Sequence, residues 1–283
     1  MTAPLKPQLR PARGIVAGPG RGQPPGPIHH QRVLPPPALA PIVEHLWLVR
    51  WEFPPGATFE AITLPHPVAH WTVEGDESVV RGVSQRPFAR TLSGAGRVVA
   101  VKFRPAGLRW LTELPAKHSR ERLLPAAELL GLRPAPLSGL PDDEALAALA
   151  ATLTELPQRD VPDAQLARDL AERCATDRSI TTVEALAAVA GVGVRGLQRL
   201  FEREIGLPPK WVIQRYRLHE AVEGLVDPSR RDLAELAYTL GFVDQAHFSR
   251  AYRAAVGEPP SATLARLRTA PGRLICHDPD QVV

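Results

Sequence analysis

The chain has 283 residues, 44% of them hydrophobic and 23% charged, with a formal net charge of +4. That length points to about two domains, and that composition excludes a collagen-like or wholly disordered chain. Two cysteines, Cys174 and Cys276, are too few for a disulfide scaffold and lack metal-ligand spacing, so both read as reduced thiols. No apolar run approaches the roughly 18 residues of a membrane span. The N-terminus shows no signal-peptide core, so the expected location is the cytoplasm, with no membrane partner. A pI of 9.4 suits an anionic partner without demanding one.

Residues 1–40 are broken by proline and glycine and carry Lys6, Arg10, Arg13, Arg21 and Arg32 with no acidic residue. So little apolar surface cannot offset ordering entropy, and a flexible basic tail is expected over 1–30. From Ile42 the texture changes. "VEHLWLVRWEF", "AHWTVEG" and "GRVVAVKFRP" are short Val-, Trp- and Phe-rich runs between turn residues, which predicts a β-rich domain over 31–156. "AGLRWLTEL" and "LPAAELLGL" read as short helices closing it. "DDEALAALAATLTEL" and "DAQLARDLAERCA" have helical spacing, and prolines at 157 and 162 mark the start of an all-α domain over 157–270, followed by a C-terminal tail over 271–283. The fold class expected is α+β.

The all-α half says one thing twice. "VGVRGLQRLFEREIGLPP" (192–209) returns fifty-one residues later within "GFVDQAHFSRAYRAAVGEPP" (241–260), with Val192/Val243, Arg199/Arg250, Gly206/Gly257, Pro208/Pro259 and Pro209/Pro260 identical. Each copy opens with an amphipathic helix, "TTVEALAAVAG" or "RDLAELAYTLG", that ends at a glycine suited to a left-handed exit. A second helix follows, over 194–204 and 244–255, with Leu197, Leu200 and Phe201 inward in one copy and Phe248, Ala251 and Tyr252 in the other. Helix, tight glycine turn, helix is the helix-turn-helix unit. The outward faces carry Arg195, Gln198, Arg199 and Arg203, then Gln245, Ser249, Arg250 and Arg253. Arg and Gln are the side chains that pair with guanine and adenine edges in the major groove. Glu202 and Glu204 sit late in their helix, away from the end that enters the groove first. In the first copy Gly193 stands at the N-cap, and Gly196 one turn inside costs about 1 kcal/mol against alanine, so this reading helix is expected to be the softer one.

"LAYTLGFVDQAHFSRAYRAAVGEPPS" resembles the signature of the AraC/XylS family of bacterial transcription regulators, and "LAAVAGVGVRGLQRLFEREIGLPPKWVIQRYRLHEA" is similar to the first half of the same domain. The resemblance covers about 165–270. It implies that each second helix enters a major groove, with the groove-facing positions falling on Arg195, Gln198 and Arg199, then on Gln245, Ala246, His247 and Arg250. It also makes "KWVIQRYRLHEAVEGL" the strut between the units, with Arg217 and Leu218 on the family's Arg-Leu step. "VEHLWLVRW" and "VVAVKFRPAGLRWL" resemble, more faintly, a sensor-like N-terminal domain of one branch of the family, which has Pro-Asp-Gly where this chain has Pro65-His66-Pro67. The implied partners are double-stranded DNA first, with a small-molecule effector in the N-terminal domain, RNA polymerase and a second copy of the chain left open. No cofactor and no catalytic residue is expected.

A second reading stays open. His66 and His70 in "LPHPVAHW" fit two ligands of a metal-dependent, cupin-like β-barrel enzyme carrying a helical DNA-binding appendage, although no third ligand is assigned. There is no phosphate-binding glycine loop and no nucleophile elbow. Trp47, Trp51 and Trp71 read as core packing or as the lining of an apolar pocket.

Overall fold

The structure, a computed structural model, describes residues 15–17, 24–132, 137–226 and 232–269. Cys276, the expected C-terminal tail and most of the expected N-terminal tail lie outside the described residues. Among the described residues nine strands come first: β1 (Ile15–Ala17), β2 (Ile28–Val33), β3 (Val43–Glu52), β4 (Thr58–Thr63), β5 (His70–Glu74), β6 (Glu77–Arg81), β7 (Phe88–Ser93), β8 (Ala95–Phe103) and β9 (Leu123–Pro125). Helices follow: α1 (Ala126–Leu130), α2 (Asp142–Thr154), α3 (Pro162–Thr176), α4 (Val183–Ala190), α5 (Val194–Glu204), α6 (Pro209–Val226), α7 (Leu233–Thr239), α8 (Gln245–Val256) and α9 (Pro260–Thr269). This is the α+β order expected, a β-rich domain and then a helical one. Two details differ. Strand β1 lies inside the segment read as a tail, where it pairs with β4, and β2 runs across residue 30. "AGLRWLTEL" makes a single 3-10 turn, Gly107–Trp110, instead of a helix.

The strands form two antiparallel sheets, β2-β3-β8-β5-β6-β9 and β1-β4-β7. Side chains alternate across a strand, so the large sheet has two faces with separate fates. Leu46, Leu48, Trp71, Val73, Val99 and Val101 face outward and pack under Leu146, Leu149 and Leu153 of α2. On the other face Trp51, Val98 and Ala100 meet Phe59 and Leu92 of the small sheet, with Trp47 and Val49 beside them. The Trp51 indole lies flat over Gly96, where a Cβ would stand 2.2 Å from the ring, and its Nε1 donates to the Ser93 carbonyl at 3.1 Å. Trp71 is fully buried and donates to Ser78 Oγ at 2.9 Å. Two of the three tryptophans are therefore core residues whose polar atoms are satisfied.

Core membership changes between α2 and α3. Ala164, Ala167, Leu170 and Ala171 of α3 join Leu186, Leu197, Phe201, Val212 and Ile213 in the first core of the helical half. The second core gathers Leu218, Ala221 and Leu225 of α6 with Leu236, Phe248 and Tyr252. Both cores are completed from the β-rich domain, by Val83 and Ala106 in the first and by Leu64 in the second.

Polar contacts reinforce that docking. Arg109 Nε donates to Glu204 Oε2 at 2.9 Å, while its Nη1 donates to the carbonyls of Thr112 and Leu114. The two side chains are 12% and 3% exposed, so Glu204, which sequence reading placed only late in its helix, is an internal group. Gly206, at φ +84°, lets the chain pass so close to the Ala116 carbonyl that a Cβ would stand 2.8 Å from it. Removing one partner of a buried pair strands the other. Arg109→Leu should therefore lower the melting temperature, by about 3 kcal/mol of stability at the low end of such losses because Arg203 still reaches Glu204. Adding Glu204→Gln should recover part of it, which thermal unfolding of the two single variants and the double variant will measure.

Candidate nucleic-acid interface

The two hairpins are built by the same local chemistry. In the first, Thr182 caps α4 by accepting from Ala185 N at 3.1 Å. The helix exits through Gly191 at φ +65°, with Val192 N donating to Ala187 O at 3.1 Å. In the second, Asp232 accepts from Ala234 N at 2.8 Å, Gly241 takes φ +74°, and Phe242 N donates to Ala237 O at 3.0 Å. These are matching C-terminal motifs that satisfy the last carbonyls. They match at an offset of fifty, whereas the second helices, capped by Gly193 and Asp244, match at fifty-one. The second turn therefore holds one more residue. Val192 corresponds by structure to Phe242, and its identity with Val243 in the sequence alignment is fortuitous. Val243 is the added residue and is 87% exposed.

The helix caps differ as the sequence suggests. Asp244 Oδ1 accepts from His247 N at 2.6 Å, while Gly193 offers no side-chain bond. A Cβ on Gly196 would meet only Val192 Cβ at 3.8 Å, and its φ is not left-handed. Nothing among the described residues requires a glycine there.

Arg195, Gln198 and Arg199 on α5, and Gln245, Ala246 and Arg250 on α8, are exposed. Leu197 and Phe201, like Phe248 and Tyr252, point into the cores. Among the described residues, Arg195, Arg199, Arg250 and Arg253 form no salt bridge, so each keeps its five donors for an outside acceptor. Arg203 is exposed too, but its guanidinium is engaged with Glu204, at 2.5 Å from Nε, and with Asp163 of α3. His247 is half-buried, with its ring edge-on to Phe242 at 5.4 Å, and Ser249 is half-buried. The structure thus brings most of the expected residues onto two polar faces, turns His247 partly inward and ties Arg203 to its own domain. Gly196→Ala should stabilise α5 by up to about 1 kcal/mol, seen as a raised melting temperature. A lowered one would mean that the backbone there cannot accept a side chain.

The β-rich domain holds a second polar group that sequence reading missed. His30, Arg32, His45, Trp47, His70 and Lys102 are cross-strand neighbours or next-but-one neighbours on the face of the large sheet that looks toward the small one. The bulge between Val43 and His45 brings Glu44 to this group, where it accepts from Lys102 Nζ at 3.0 Å. The His30 and His70 rings stand edge-on to Trp47 at 6.5 and 6.2 Å. Burial, with Arg32 nearby, pushes the His30 imidazole down to about 3. Burial, with Lys102 nearby, does the same to His70. Burial lowers His45 to about 4 despite the opposing pull of Glu44. All three rings are neutral at pH 7. An unfolded histidine titrates near 6.5, so between that value and about 3 to 4 the unfolded chain binds protons that the folded one refuses. Stability is full above this window and declines as pH falls through it. Melting temperatures taken from pH 7 down to 5 should fall, and less steeply in His70→Phe.

His66 and His70 do not converge. The His66 ring stacks on His219 of α6 at 3.9 Å, while His70 faces Trp47. Among the described residues no three His, Cys, Asp or Glu side chains are grouped to hold a metal ion, and no helix is long and apolar enough to cross a membrane.

Comparison with known proteins follows the same division of the chain. The profile of a helix-turn-helix domain matches residues 186–266, and that of a domain of unknown function matches residues 31–125. The XylDLEGF operon transcriptional activator of Pseudomonas putida is 37% identical over 89 residues, a stretch covering 31% of this chain and 28% of that protein. Among solved structures, a probable AraC family transcriptional regulator from Rhodopseudomonas palustris is 33% identical, covering 36% of this chain and 95% of its own, with a TM-score of 0.33. ToxT from Vibrio cholerae is 12% identical, covering 74% and 90%, with a TM-score of 0.41. By its matched sequence and its two capped hairpins, the helical half of this chain carries a helix-turn-helix domain similar to that of the P. putida activator.

Proposed function

We propose that the chain is a sequence-specific DNA-binding transcription regulator, acting in the cytoplasm as a binding protein and not as an enzyme. Helices α5 and α8 read two successive major grooves, and the β-rich domain modulates them. The observation that carries this is the pair of polar helix faces, with Arg195, Gln198 and Arg199 on one and Gln245 and Arg250 on the other, held by one connecting helix. A single such hairpin reads only a few base pairs, and most helix-turn-helix proteins pair two chains to gain affinity. Here the second reader is in the same chain. Helix α6 has 18 residues, about 27 Å at roughly 1.5 Å per residue. With the width of the flanking helices this suits readers about one DNA turn, near 34 Å, apart.

The metal-enzyme alternative loses its support once His66 and His70 are seen to face different partners. The P. putida activator, by its name, acts on an operon's transcription, which agrees with this reading.

Arg199→Ala and Arg250→Ala should each weaken binding to the cognate operator by about 1–3 kcal/mol and weaken binding to random DNA much less. Equal losses on both would mean phosphate contacts only. The operator should not be palindromic. Inserting about five base pairs between its half-sites should abolish specific binding by the full chain, because the readers would face opposite sides of the duplex. The full chain is the proper test material, since Leu64 and Arg109 of the β-rich domain complete the cores and ion pairs of the helical half. Survival of binding after the insertion would show that the two hairpins act separately.

A further inference from the structure

The polar group between the two sheets is costly to bury, and among the described residues several of its shielded polar atoms have no hydrogen-bond partner. Lys102, 6% exposed, is matched by Glu44 at 3.0 Å, and Glu44 is the cluster's carboxylate among the described residues. Arg32 adds a second cation. Its Nε has no hydrogen-bond partner, and neither have His45 Nδ1 or His70 Nδ1, although all three atoms are shielded from solvent. His45 as a whole is 5% exposed, and its Nδ1 stands 3.6 Å from Glu44 Oε1, too far for a hydrogen bond. Buried polar atoms are nearly always paired, and each exception calls for a reason. Here three exceptions from three strands share one face. Two of the three atoms, the imidazole nitrogens, act as donor or acceptor according to tautomer, and the third is a fixed donor on a permanent cation.

We propose that this face binds a small organic acid, its carboxylate received by Arg32 with His45 and His70, and its apolar body laid against Trp47. The acid is the effector of the regulator proposed above, and only that role rests on that reading. The charges favour an anion: Arg32, Lys102 and, across the ladder from His70, Arg81 face a group in which Glu44 is the carboxylate among the described residues, and a guanidinium meets a carboxylate with two parallel bonds. The surroundings favour an apolar body over a bare inorganic ion. Trp47 stands among the cluster, Ala100 lies across the ladder from it, and Phe59 and Leu92 continue the same interior. Burial pulls the Arg32 guanidinium down to about 10, still fully charged at neutral pH.

The test uses the unmodified full chain and measures thermal shift and calorimetric titration with acetate, hexanoate and cyclohexanecarboxylate, each against its primary amide, and with inorganic phosphate. A ligand that binds only the folded state raises the melting temperature saturably. Hexanoate and cyclohexanecarboxylate should do so, while the amides, acetate and phosphate should bind at least tenfold more weakly. Arg32→Met, which keeps the side chain's bulk, should lose at least tenfold in affinity for the two acids. The acid-against-amide comparison needs no variant, so it stands even where Arg32→Met folds poorly. Amides binding as well as their acids, phosphate binding better than either, or no saturable shift from any acid would overturn the site. Operator binding in the same samples keeps the two proposals apart. Specific DNA binding with no acid bound would overturn the site alone, and acid binding without specific DNA recognition would overturn the regulator alone.

Discussion

Helix α6 divides its side chains between two hydrophobic cores, and the geometry of the helical half depends on that division. Val212 and Ile213 belong to the core beneath α5. Leu218, Ala221 and Leu225 belong to the core beneath α8. Between them Arg217, 4% exposed, sends Nη2 to the carbonyls of Asp177 and Ile180 at 2.7 and 3.1 Å, fastening the helix to the loop after α3. A charged donor on two buried carbonyls is a strong, directional restraint. Two hairpins joined by such a rod are held as one body, and in the function proposed above the second DNA contact would form intramolecularly, without the entropy of recruiting another chain.

Much of this was legible in the sequence, for a physical reason. The glycine exits, the inward spacing of three and four, and the Arg and Gln faces are local properties that each helix carries alone. The turn was misread for the same reason. Val192 and Val243 are identical letters, but the hydrogen bonds Val192 N to Ala187 O and Phe242 N to Ala237 O show which residues correspond. Sequence identity cannot detect a one-residue insertion when the neighbours happen to match. Glu204 shows the opposite failure. Its place, seven residues after Leu197 and three after Phe201, is on the inward stripe, yet its charge hides this until Arg109 of the β-rich domain is seen to supply the partner that holds it inside.

The interior of the β-rich domain was hidden by alternation and by a bulge. In "HHQRV" every second residue faces the small sheet, so His30 and Arg32 look like ordinary surface polar residues until the partner strands are known. In β3 the bulge at Glu44 resets the alternation, which places His45 and Trp47 on the same face as Lys102 and His70. A bulge is a common device for re-aiming a side chain. The polar cluster exists because four strands bring their inward residues together: His30 and Arg32 from β2, His45 and Trp47 from β3, His70 from β5 and Lys102 from β8. No single stretch shows it. The HxxxH spacing of His66 and His70, by contrast, suggested a site that the turn between them forbids.

That turn also sets the path between the two halves. Leu64 is buried in the core under α8. The next residue's carbonyl accepts from His219 Nε2 of α6 at 3.2 Å, and His66 stacks on the same imidazole. Four residues further on, His70 faces the polar cluster inside the sheets. Pro65 and Pro67 fix two φ angles in this stretch, so it has little freedom to absorb a displacement at one end. A ligand changes DNA affinity only if its two states differ in contacts that the readers feel. The β-rich domain meets the first hairpin through Arg109–Glu204 and Ala116–Gly206, at the far end of α5 from Arg195. It meets the second through Leu64, Pro65 and His66, directly on the connecting rod. Both sets lie close along the chain to the polar cluster, since His66 stands four residues before His70 and Ala106, in the core beneath α5, four residues after Lys102, so a signal from inside the sheets would have a short path to each hairpin.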